Sequence, residues 1–227
     1  MARLARYGAV RRIVHLILLS IAMSAAPALA AGPLIWALGD SLTAGYGLLP
    51  AQGFTVQLQN ALRRSGVPAT VRNGGIAGDT SAQGKARLLW GLRGLGMQPD
   101  LVIVELGAND MLRGLPPEQA EANLDAILAE LKRRHIAVLL AGMRSAPNLG
   151  PSYRAAFDGM YPRLARKYRL PLYPFFLDGV AGRRDLLQAD GLHPNPRGVA
   201  IVVRRILPSV RATLATRRSD RSHALQP

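Results

Sequence analysis

Short apolar runs alternate with longer amphipathic stretches along this 227-residue chain, and that alternation constrains its fold more than any other feature. The apolar runs have the length of strands, and LVIVEL at 101–106 is the clearest of them. The stretches between them carry apolar residues at helical spacing. Strands that alternate with helices are typical of a parallel sheet covered by helices on both faces. The sequence therefore predicts an α/β fold, a three-layer α/β/α sandwich with a parallel central sheet.

The predicted elements follow one another in a single series. The predicted strands cover residues 34–38, 69–72, 101–106, 136–141 and 172–175. The predicted helices cover residues 54–65, 81–95, 117–134, 151–168 and 196–214. No internal repeat and no linker interrupts the series. We therefore expect one domain over residues 31–214, followed by a basic, disordered tail over residues 215–227.

The first thirty residues have the composition of a signal peptide. Four arginines and no acidic residue accompany an apolar stretch over residues 13–22, and Ala28-Leu29-Ala30 matches the small-x-small pattern of signal peptidase sites. The apolar stretch is shorter than the roughly 20 residues that a membrane-spanning helix needs. We predict a signal peptide over residues 1–30, cleaved after Ala30, and hence a periplasmic or secreted bacterial protein. An uncleaved amphipathic anchor is the alternative.

The composition excludes several classes of site. The chain has no cysteine, which rules out disulfides, a cysteine nucleophile and thiolate metal sites. Its formal net charge is +15, and many of its arginines lie near the carboxyl end. A basic surface attracts anionic lipids or nucleic acids, but basic residues interleaved with stacking aromatics, and any recognisable nucleic-acid-binding module, are missing. We predict no nucleic-acid partner and leave open a peripheral contact with an anionic membrane surface.

Polar, glycine-containing segments follow the predicted strands. These segments are Gly39-Asp40-Ser41-Leu42, residues 73–80, Gly107-Ala108-Asn109-Asp110 and residues 190–195. Ligands of an open parallel sheet bind beyond the carboxyl ends of its strands. We therefore expect the four segments to meet at one edge of the sheet and to form the functional site there.

A hydroxyl nucleophile needs a base to take its proton, and the base needs a carboxylate to orient it. Of the four histidines, His15 lies in the predicted signal peptide, His223 in the predicted tail and His135 at the far end of a helix, which leaves His193 as the base. Asp190 reaches the same imidazole from one tight loop. An Asp-x-x-His pair alone is more often a surface turn, but together with Ser41 the segments predict a catalytic Ser41–His193–Asp190 triad.

Acyl transfer also needs hydrogen-bond donors for the oxygen that becomes negative in the transition state. The backbone N–H of Ser41, the N–H of Gly75 or Gly78 and the side-chain amide of Asn109 are the candidates. Taken one by one, the glycines and Asn109 are also consistent with ordinary turns and caps. The sequence contains no Gly-x-Ser-x-Gly elbow, no His-Glu-x-x-His zinc motif and no phosphate-binding loop, which argues against the commonest rival enzymes.

The four segments resemble, in order, the four conserved blocks of the SGNH (GDSL) hydrolases. The resemblance covers the chain from about Leu34 to Ile206 and is strongest to the bacterial periplasmic type with thioesterase, protease, lysophospholipase and arylesterase activities. It implies a flavodoxin-like sandwich and an oxyanion hole made by Ser41, Gly78 and Asn109, so that Gly78 is preferred to Gly75. Acyl transfer by these groups needs neither a metal nor an organic cofactor, and we expect a monomer. In this family the position of Ala108 is often glycine.

The substrate-binding residues are expected in loops beside the triad. The candidates for lining an apolar groove are Ile76, Leu112, Met143, Pro147, Leu149, Tyr153 and Leu192. Ordinary core or loop packing is the competing interpretation of these side chains. Asp40 and Asp110 adjoin the site, and we expect them to support the geometry of their loops rather than to transfer protons.

Three functions remain open on the sequence. The first is a serine esterase that hydrolyses carboxylic esters or thioesters, of the acyl-thioester, aryl ester or lysophospholipid type, through an acyl-enzyme on Ser41. The second is a carbohydrate O-acetyl esterase with the same site. The third is a non-catalytic envelope protein that binds anionic lipid or polysaccharide through its basic surface.

Overall fold

The computed structural model describes the backbone of residues 32–224 and the side chains up to Arg217. The predicted signal peptide and the last three residues of the predicted tail lie outside the described residues. Residues 32–224 belong to one compact unit. No helix among them is long and apolar enough to cross a bilayer.

Five parallel strands form one sheet in the order β2-β1-β3-β4-β5. The strands are β1 (Leu34–Gly39), β2 (Thr70–Gly75), β3 (Leu101–Glu105), β4 (Ala137–Ala141) and β5 (Leu172–Tyr173). In the register of the sheet, Gly39 pairs with Gly75 on one side and with Glu105 on the other. The carboxyl ends of the three strands β2, β1 and β3 are therefore level, and the segments that follow them begin at the same height.

Seven α-helices accompany the sheet between residues 32 and 224. They are α1 (Ser41–Ala44), α2 (Phe54–Arg64), α3 (Ser81–Gly94), α4 (Ala108–Leu112), α5 (Pro117–Arg133), α6 (Pro151–Tyr168) and α7 (Pro196–Ala224). Helix α2 packs against α7, while α5 packs against both α3 and α6. The central strand β3 lies in the middle of the resulting core, and every one of its residues is buried. The predicted α/β sandwich with a parallel central sheet is thus confirmed.

The observed boundaries depart from the predicted ones by more than one residue at three places. Strand β2 continues to Gly75, beyond the predicted end at residue 72, because the neighbouring strand β1 offers a pairing partner as far as Gly39. Strand β5 ends at Tyr173 because the next residue, Pro174, lacks the N–H that a ladder requires. The sequence predicts the end of the last helix at residue 214 and a disordered tail, whereas α7 continues to Ala224; neither glycine nor proline lies between to stop it.

The glycines of helix α3 mark close packing of the helix against the sheet. A Cβ atom on Gly84 would overlap the side chain of Leu106, and one on Gly91 would overlap the indole of Trp36. Glycine costs helix stability relative to alanine, but here it lets the helix backbone approach the sheet. Helix α3 therefore runs continuously from Ser81 to Gly94.

The packing of β3 generates a stability prediction. Ile103 lies in the middle of the central strand and is fully buried. Ile103→Ala removes three carbon atoms from a close-packed site, and we expect the free energy of unfolding to fall by about 2–5 kcal/mol in urea titrations. Leu89→Ala is the control, because Leu89 is exposed on α3 and its truncation should change stability by less than about 1 kcal/mol. Equal losses in both variants would contradict this account of the core.

Candidate active site

The three predicted catalytic side chains meet at the carboxyl edge of the sheet. Ser41 is the first residue of α1, directly beyond β1, and His193 lies in the loop that leads into α7. The Oγ atom of Ser41 is 2.8 Å from Nε2 of His193, and Nδ1 of the same imidazole is 2.6 Å from Oδ2 of Asp190. The side chains of Ser41, His193 and Asp190 thus form one continuous hydrogen-bonded chain.

The tight loop around Gly191 orients the imidazole. Gly191 has a φ of +70°, a conformation that glycine adopts at low cost and that turns the chain back between Asp190 and His193. Oδ1 of Asp190 accepts the backbone N–H groups of Leu192 at 2.9 Å and His193 at 3.0 Å, which leaves Oδ2 for the imidazole. The N–H of Leu192, followed by the His193 side chain, lowers the pKa of Asp190 to about 2. The carboxylate is therefore ionised and able to stabilise an imidazolium.

Tyr46 is a neighbour of the triad that the sequence reasoning missed. Its ring lies against the imidazole of His193, with centroids 4.7 Å apart and planes inclined by 38°. The backbone carbonyl of Tyr46 accepts the side-chain amide of Gln188 at 2.8 Å, which ties the segment after α1 to the segment before the histidine loop. The signal available in the sequence is an aromatic residue between Gly45 and Gly47, close behind the serine.

Gly75 and Gly78, the two glycines that the residues alone offer as oxyanion donors, lie in different surroundings. Gly78 has a φ of +85° and lines the same cleft as Ser41, Asn109 and His193. The guanidinium of Arg113 donates to the carbonyl of Gly78 at 2.7 Å and holds this turn. The N–H of Gly75, in contrast, donates to Oδ1 of Asn73 at 2.9 Å and is already engaged. Of the two glycines, Gly78 is the one that lines the cleft together with Ser41.

Asn109 lines the cleft together with Ser41, and both hydrogens of its side-chain amide are engaged. Nδ2 lies 3.1 Å from Oδ2 of Asp40 and 3.0 Å from the carbonyl oxygen of Asp79. A side-chain amide carries only two N–H hydrogens. Donation to a substrate oxygen therefore requires that Asn109 share one of them with an acceptor it already has.

Two buried carboxyl groups bind the turn that carries Ser41. Asp40 caps α1 by accepting the N–H of Leu42 at 3.0 Å, and burial raises its pKa to about 6. Glu105, the last residue of β3, accepts the hydroxyl of Thr43 at 2.7 Å. Burial, reinforced by the charge of Asp40, raises the pKa of Glu105 well above its usual range, which favours its protonated form. Both groups hold the turn that carries Ser41.

Asp110 supports the geometry of the loops around it, as the sequence predicts. Its Oδ2 accepts the backbone N–H of Ser81 at 2.7 Å, and its Oδ1 accepts the Ser81 hydroxyl at 2.6 Å. Asp40 likewise fixes its own turn and the amide of Asn109. Glu105 was not singled out from the sequence, although an acidic residue inside an otherwise apolar strand run is a recognisable signal.

A cleft of about 440 Å³ opens beside the serine. Of the predicted lining residues, four contribute to it: Leu112, Met143, Pro147 and Leu192. The other lining residues that the sequence did not suggest include Leu42, Tyr46, Met111, Arg144, Phe175, Leu177 and Ala181. Apart from the triad histidine, Arg144 is the single charged residue of this lining, so the cleft suits an apolar chain.

Three of the predicted lining residues lie outside the cleft. Ile76 is exposed, although Ala77 and Gly78 directly behind it do line the cleft. Leu149 belongs to a short 3₁₀ turn that packs against the core. Tyr153 donates its hydroxyl to the carbonyl of Leu115 at 2.9 Å and stacks on Phe157. For Leu149 and Tyr153, the packing interpretation is the one that the structure favours.

A larger depression lies away from the triad. It measures about 560 Å³ and is bounded by the carboxyl ends of α5 and α6 and by α7. Its basic residues, such as Lys132 and Arg169, stand at helix carboxyl ends, where the helix dipole favours cations. Between residues 32 and 224, no group of three or more potential ligands is arranged to hold a metal ion.

Residues 37–201 match the GDSL-like Lipase/Acylhydrolase family. The chain belongs to this family. It is 38% identical to the Esterase TesA of Pseudomonas aeruginosa over 185 residues, which cover 82% of this chain and 91% of that protein. It is 42% identical to an Arylesterase of Vibrio mimicus over 159 residues, or 70% of this chain and 78% of that one. The predicted family is confirmed, and with it the prediction of an enzyme that hydrolyses esters.

Solved structures agree with the fold. The SGNH-hydrolase family esterase AlinE4 is 48% identical, covers 82% of this chain and 99% of its own, and superposes with a TM-score of 0.70. The crystal structure of TesA, at 38% identity, covers 79% of this chain and 99% of its own with a TM-score of 0.75. This chain and these relatives thus share one fold.

The buried carboxyl of Asp40 generates a prediction on the pH dependence of stability. Because its pKa is raised in the folded state, the folded chain binds more protons than the unfolded chain between pH 4 and pH 6, and stability falls as pH rises through that window. A shift of this size corresponds to roughly 3 kcal/mol. In the unmodified chain, we expect the free energy of unfolding, measured in urea, to fall between pH 4 and pH 7. In Asp40→Asn, this fall should be smaller by roughly 3 kcal/mol.

The matched control is Asp185→Asn. Asp185 forms an exposed ion pair with Arg183, with half of its own side chain accessible to solvent. The same chemical change there should leave the pH dependence as it is in the unmodified chain. If Asp40→Asn also follows that dependence, the carboxyl of Asp40 titrates normally and its burial has no energetic consequence.

Proposed function

We propose that the chain hydrolyses carboxylic esters or thioesters of apolar acyl or aryl groups through an acyl-enzyme on Ser41. The observation that carries this proposal is the unbroken contact from Ser41 Oγ through the His193 imidazole to Asp190, at the mouth of an apolar cleft. Nucleophile, base and orienting carboxylate are already within hydrogen-bond reach of each other, which is the arrangement acyl transfer requires.

The reaction proceeds in two displacements. His193 Nε2 takes the proton of the Ser41 hydroxyl as Oγ attacks the acyl carbonyl, and the imidazolium then gives that proton to the leaving alcohol or thiol. Water, deprotonated by the same imidazole, attacks the acyl-enzyme and releases the carboxylic acid and Ser41. Asp190 stays ionised throughout because its pKa lies near 2. Every step uses groups that the chain itself supplies.

The oxyanion hole in this proposal consists of the N–H groups of Ser41 and Gly78 and the amide of Asn109. Ser41 lies in the first turn of α1, where backbone N–H groups have no acceptor within the helix. Gly78 and Asn109 line the cleft on the side of the nucleophile. As the oxyanion forms, the Asn109 hydrogen that points to Asp40 becomes shared with it. Asp40 thereby preorganises the donor before substrate arrives.

The lining of the cleft favours acyl or aryl groups over acetylated carbohydrate. Its volume exceeds what an acetyl group fills, and its walls are mostly aliphatic and aromatic carbon. A sugar ring would need several polar partners along those walls. The names of the relatives, an esterase, an arylesterase and a "Thioesterase 1/protease 1/lysophospholipase L1" of Escherichia coli at 40% identity, support the same substrate class. The contact from Ser41 through His193 to Asp190 argues against the non-catalytic alternative.

An exported enzyme fits the amino-terminal sequence. The basic start, the short apolar stretch and the Ala28-Leu29-Ala30 motif support a signal peptide over residues 1–30 and a periplasmic or secreted mature chain. The proposed monomer contains a complete triad within a single chain, so catalysis needs no residue from a second copy.

The decisive experiment measures hydrolysis of p-nitrophenyl esters from acetyl to palmitoyl. We expect turnover that rises from acetyl to medium or long chains and that falls to residual levels in Ser41→Ala, because the nucleophile is lost. Ser152→Ala, on the exposed first turn of α6, is the matched control and should retain full activity. Equal rates for Ser41→Ala and the unmodified chain would contradict the proposal. Activity confined to the acetyl ester would instead favour an O-acetyl esterase.

Removal of the Asn109 amide tests the oxyanion hole. Asn109→Ala should lower kcat by about 10²–10³ with a smaller change in KM, because the amide acts mainly on charge that develops in the transition state. Asn60→Ala, an exposed asparagine on α2, is the matched control. Normal kcat in Asn109→Ala would show that the engaged amide stays with Asp40 and Asp79 throughout the reaction.

A further inference from the structure

Several large hydrophobic side chains are exposed in the loops at the carboxyl edge of the sheet, the edge at which the catalytic cleft opens. Among the side chains that the structure describes, eight large hydrophobics are exposed. Five of them form what we call the apolar rim: Tyr46, Leu49, Ile76, Leu112 and Leu192. Contiguous apolar patches are rare on soluble proteins and mark sites of interaction.

The apolar rim comes from separate loops that share one edge of the sheet. Tyr46 and Leu49 follow β1 and its short helix, Ile76 follows β2, and Leu112 follows β3. Leu192 adjoins His193. Three members of the rim, namely Tyr46, Leu112 and Leu192, also line the cleft. A flat apolar surface that met the rim would therefore cover the entrance to the active site.

Positive charge accompanies the apolar rim. Arg113 directly follows Leu112, and the guanidinium of Arg144 lies over the ring of Phe175 in the wall of the cleft. In the part of the chain that the structure describes, neither arginine forms an ion pair with an acidic side chain.

Three of the acidic groups near this edge are already engaged. Asp190 faces His193, Asp79 pairs with Arg87, and Asp110 binds Ser81. Arg113, in a loop that carries the rim, and Arg144, in the wall of the cleft, are therefore exposed cations next to apolar side chains. An anionic lipid surface binds proteins that combine the two kinds of group. Apolar side chains contact the acyl chains, and arginines contact the headgroups.

We propose that the apolar rim docks the enzyme onto an anionic lipid surface, with the mouth of the cleft facing the lipid. This inference rests on the proposed function, since it assigns the source of the ester. A lipid ester would pass from the surface into the cleft without crossing water. Docking of this kind also explains why side chains such as Leu49, which is 68% exposed and does not line the cleft, are large and apolar.

The three remaining exposed hydrophobics supply an internal control. Leu89 and Trp90 lie on α3, and Met97 lies in the connection to the amino end of β3, away from the edge that carries the rim. Met97 is 62% exposed and thus close to Leu49 in exposure. Leu49→Asp and Met97→Asp remove a similar apolar side chain and add the same charge, but only the first should oppose docking.

Co-sedimentation with lipid vesicles tests the proposal. The chain from Ala31 onward, carrying Ser41→Ala so that lipid is not consumed, is mixed with vesicles of phosphatidylcholine alone or with an equal part of phosphatidylglycerol. We expect binding to the anionic vesicles that weakens with added salt. Leu49→Asp should weaken it by at least about tenfold, because both apolar contact and charge attraction are lost, whereas Met97→Asp should bind within about twofold of the parent.

The outcomes separate docking from catalysis. No vesicle binding by the parent, equal loss in both aspartate variants, or equal binding to neutral and anionic vesicles would overturn the docking proposal. With Ser41 restored, Leu49→Asp should hydrolyse a soluble short-chain p-nitrophenyl ester at the parent rate, which also shows that the variant folds. Vesicle binding together with no Ser41-dependent hydrolysis of any soluble ester would instead overturn the proposed function.

Discussion

The parallel ladder between β1 and β3 is the constraint on which the rest of the site depends. It pairs Gly39 with Glu105, so the turn that carries Ser41 and the turn that carries Asn109 leave the sheet side by side. The strand order β2-β1-β3-β4-β5 reverses direction there, with β2 to one side of β1 and the later strands to the other. Open α/β sheets bind ligands in the crevice at such a switch point. Because the ladder is fully buried, a slip in its register would both expose the core and separate nucleophile from donor.

The site also places carboxyl groups in opposite environments. Asp190 stands in a partly exposed loop and accepts backbone N–H groups, which lower its pKa, whereas Asp40 is buried and has a raised pKa. The first arrangement keeps a charge available for the imidazolium. The second accepts a cost in stability to hold the Asn109 amide in place before substrate binds. Buried ionisable groups of this kind are common at functional sites.

The loops beyond the carboxyl ends of the strands contribute both the wall of the cleft and exposed apolar side chains. Their inward side chains, including Met143 and Leu112, give the cleft its apolar wall, while Leu49 and Ile76 face solvent around it. A soluble ester needs only the wall, and a lipid ester benefits from the rim as well. The same sheet edge therefore unites the chemistry, the selection of the acyl group and the proposed contact with lipid.

The sequence by itself determined the fold class and the triad, because periodicity and residue chemistry are local properties. Alternating apolar and amphipathic runs define the sandwich, and elimination among four histidines leaves His193. Contacts between distant segments were decided only by tertiary structure. Three contacts of this kind join separate segments of the chain. They are the ring contact of Tyr46 with His193, the hydrogen bond from Thr43 to Glu105, and the hydrogen bonds from the Asn109 amide to Asp40 and Asp79. The same reason accounts for Ile76, Leu149 and Tyr153: which loop side chains line a cleft depends on how the loops pack across the sheet edge, and no local pattern records that packing.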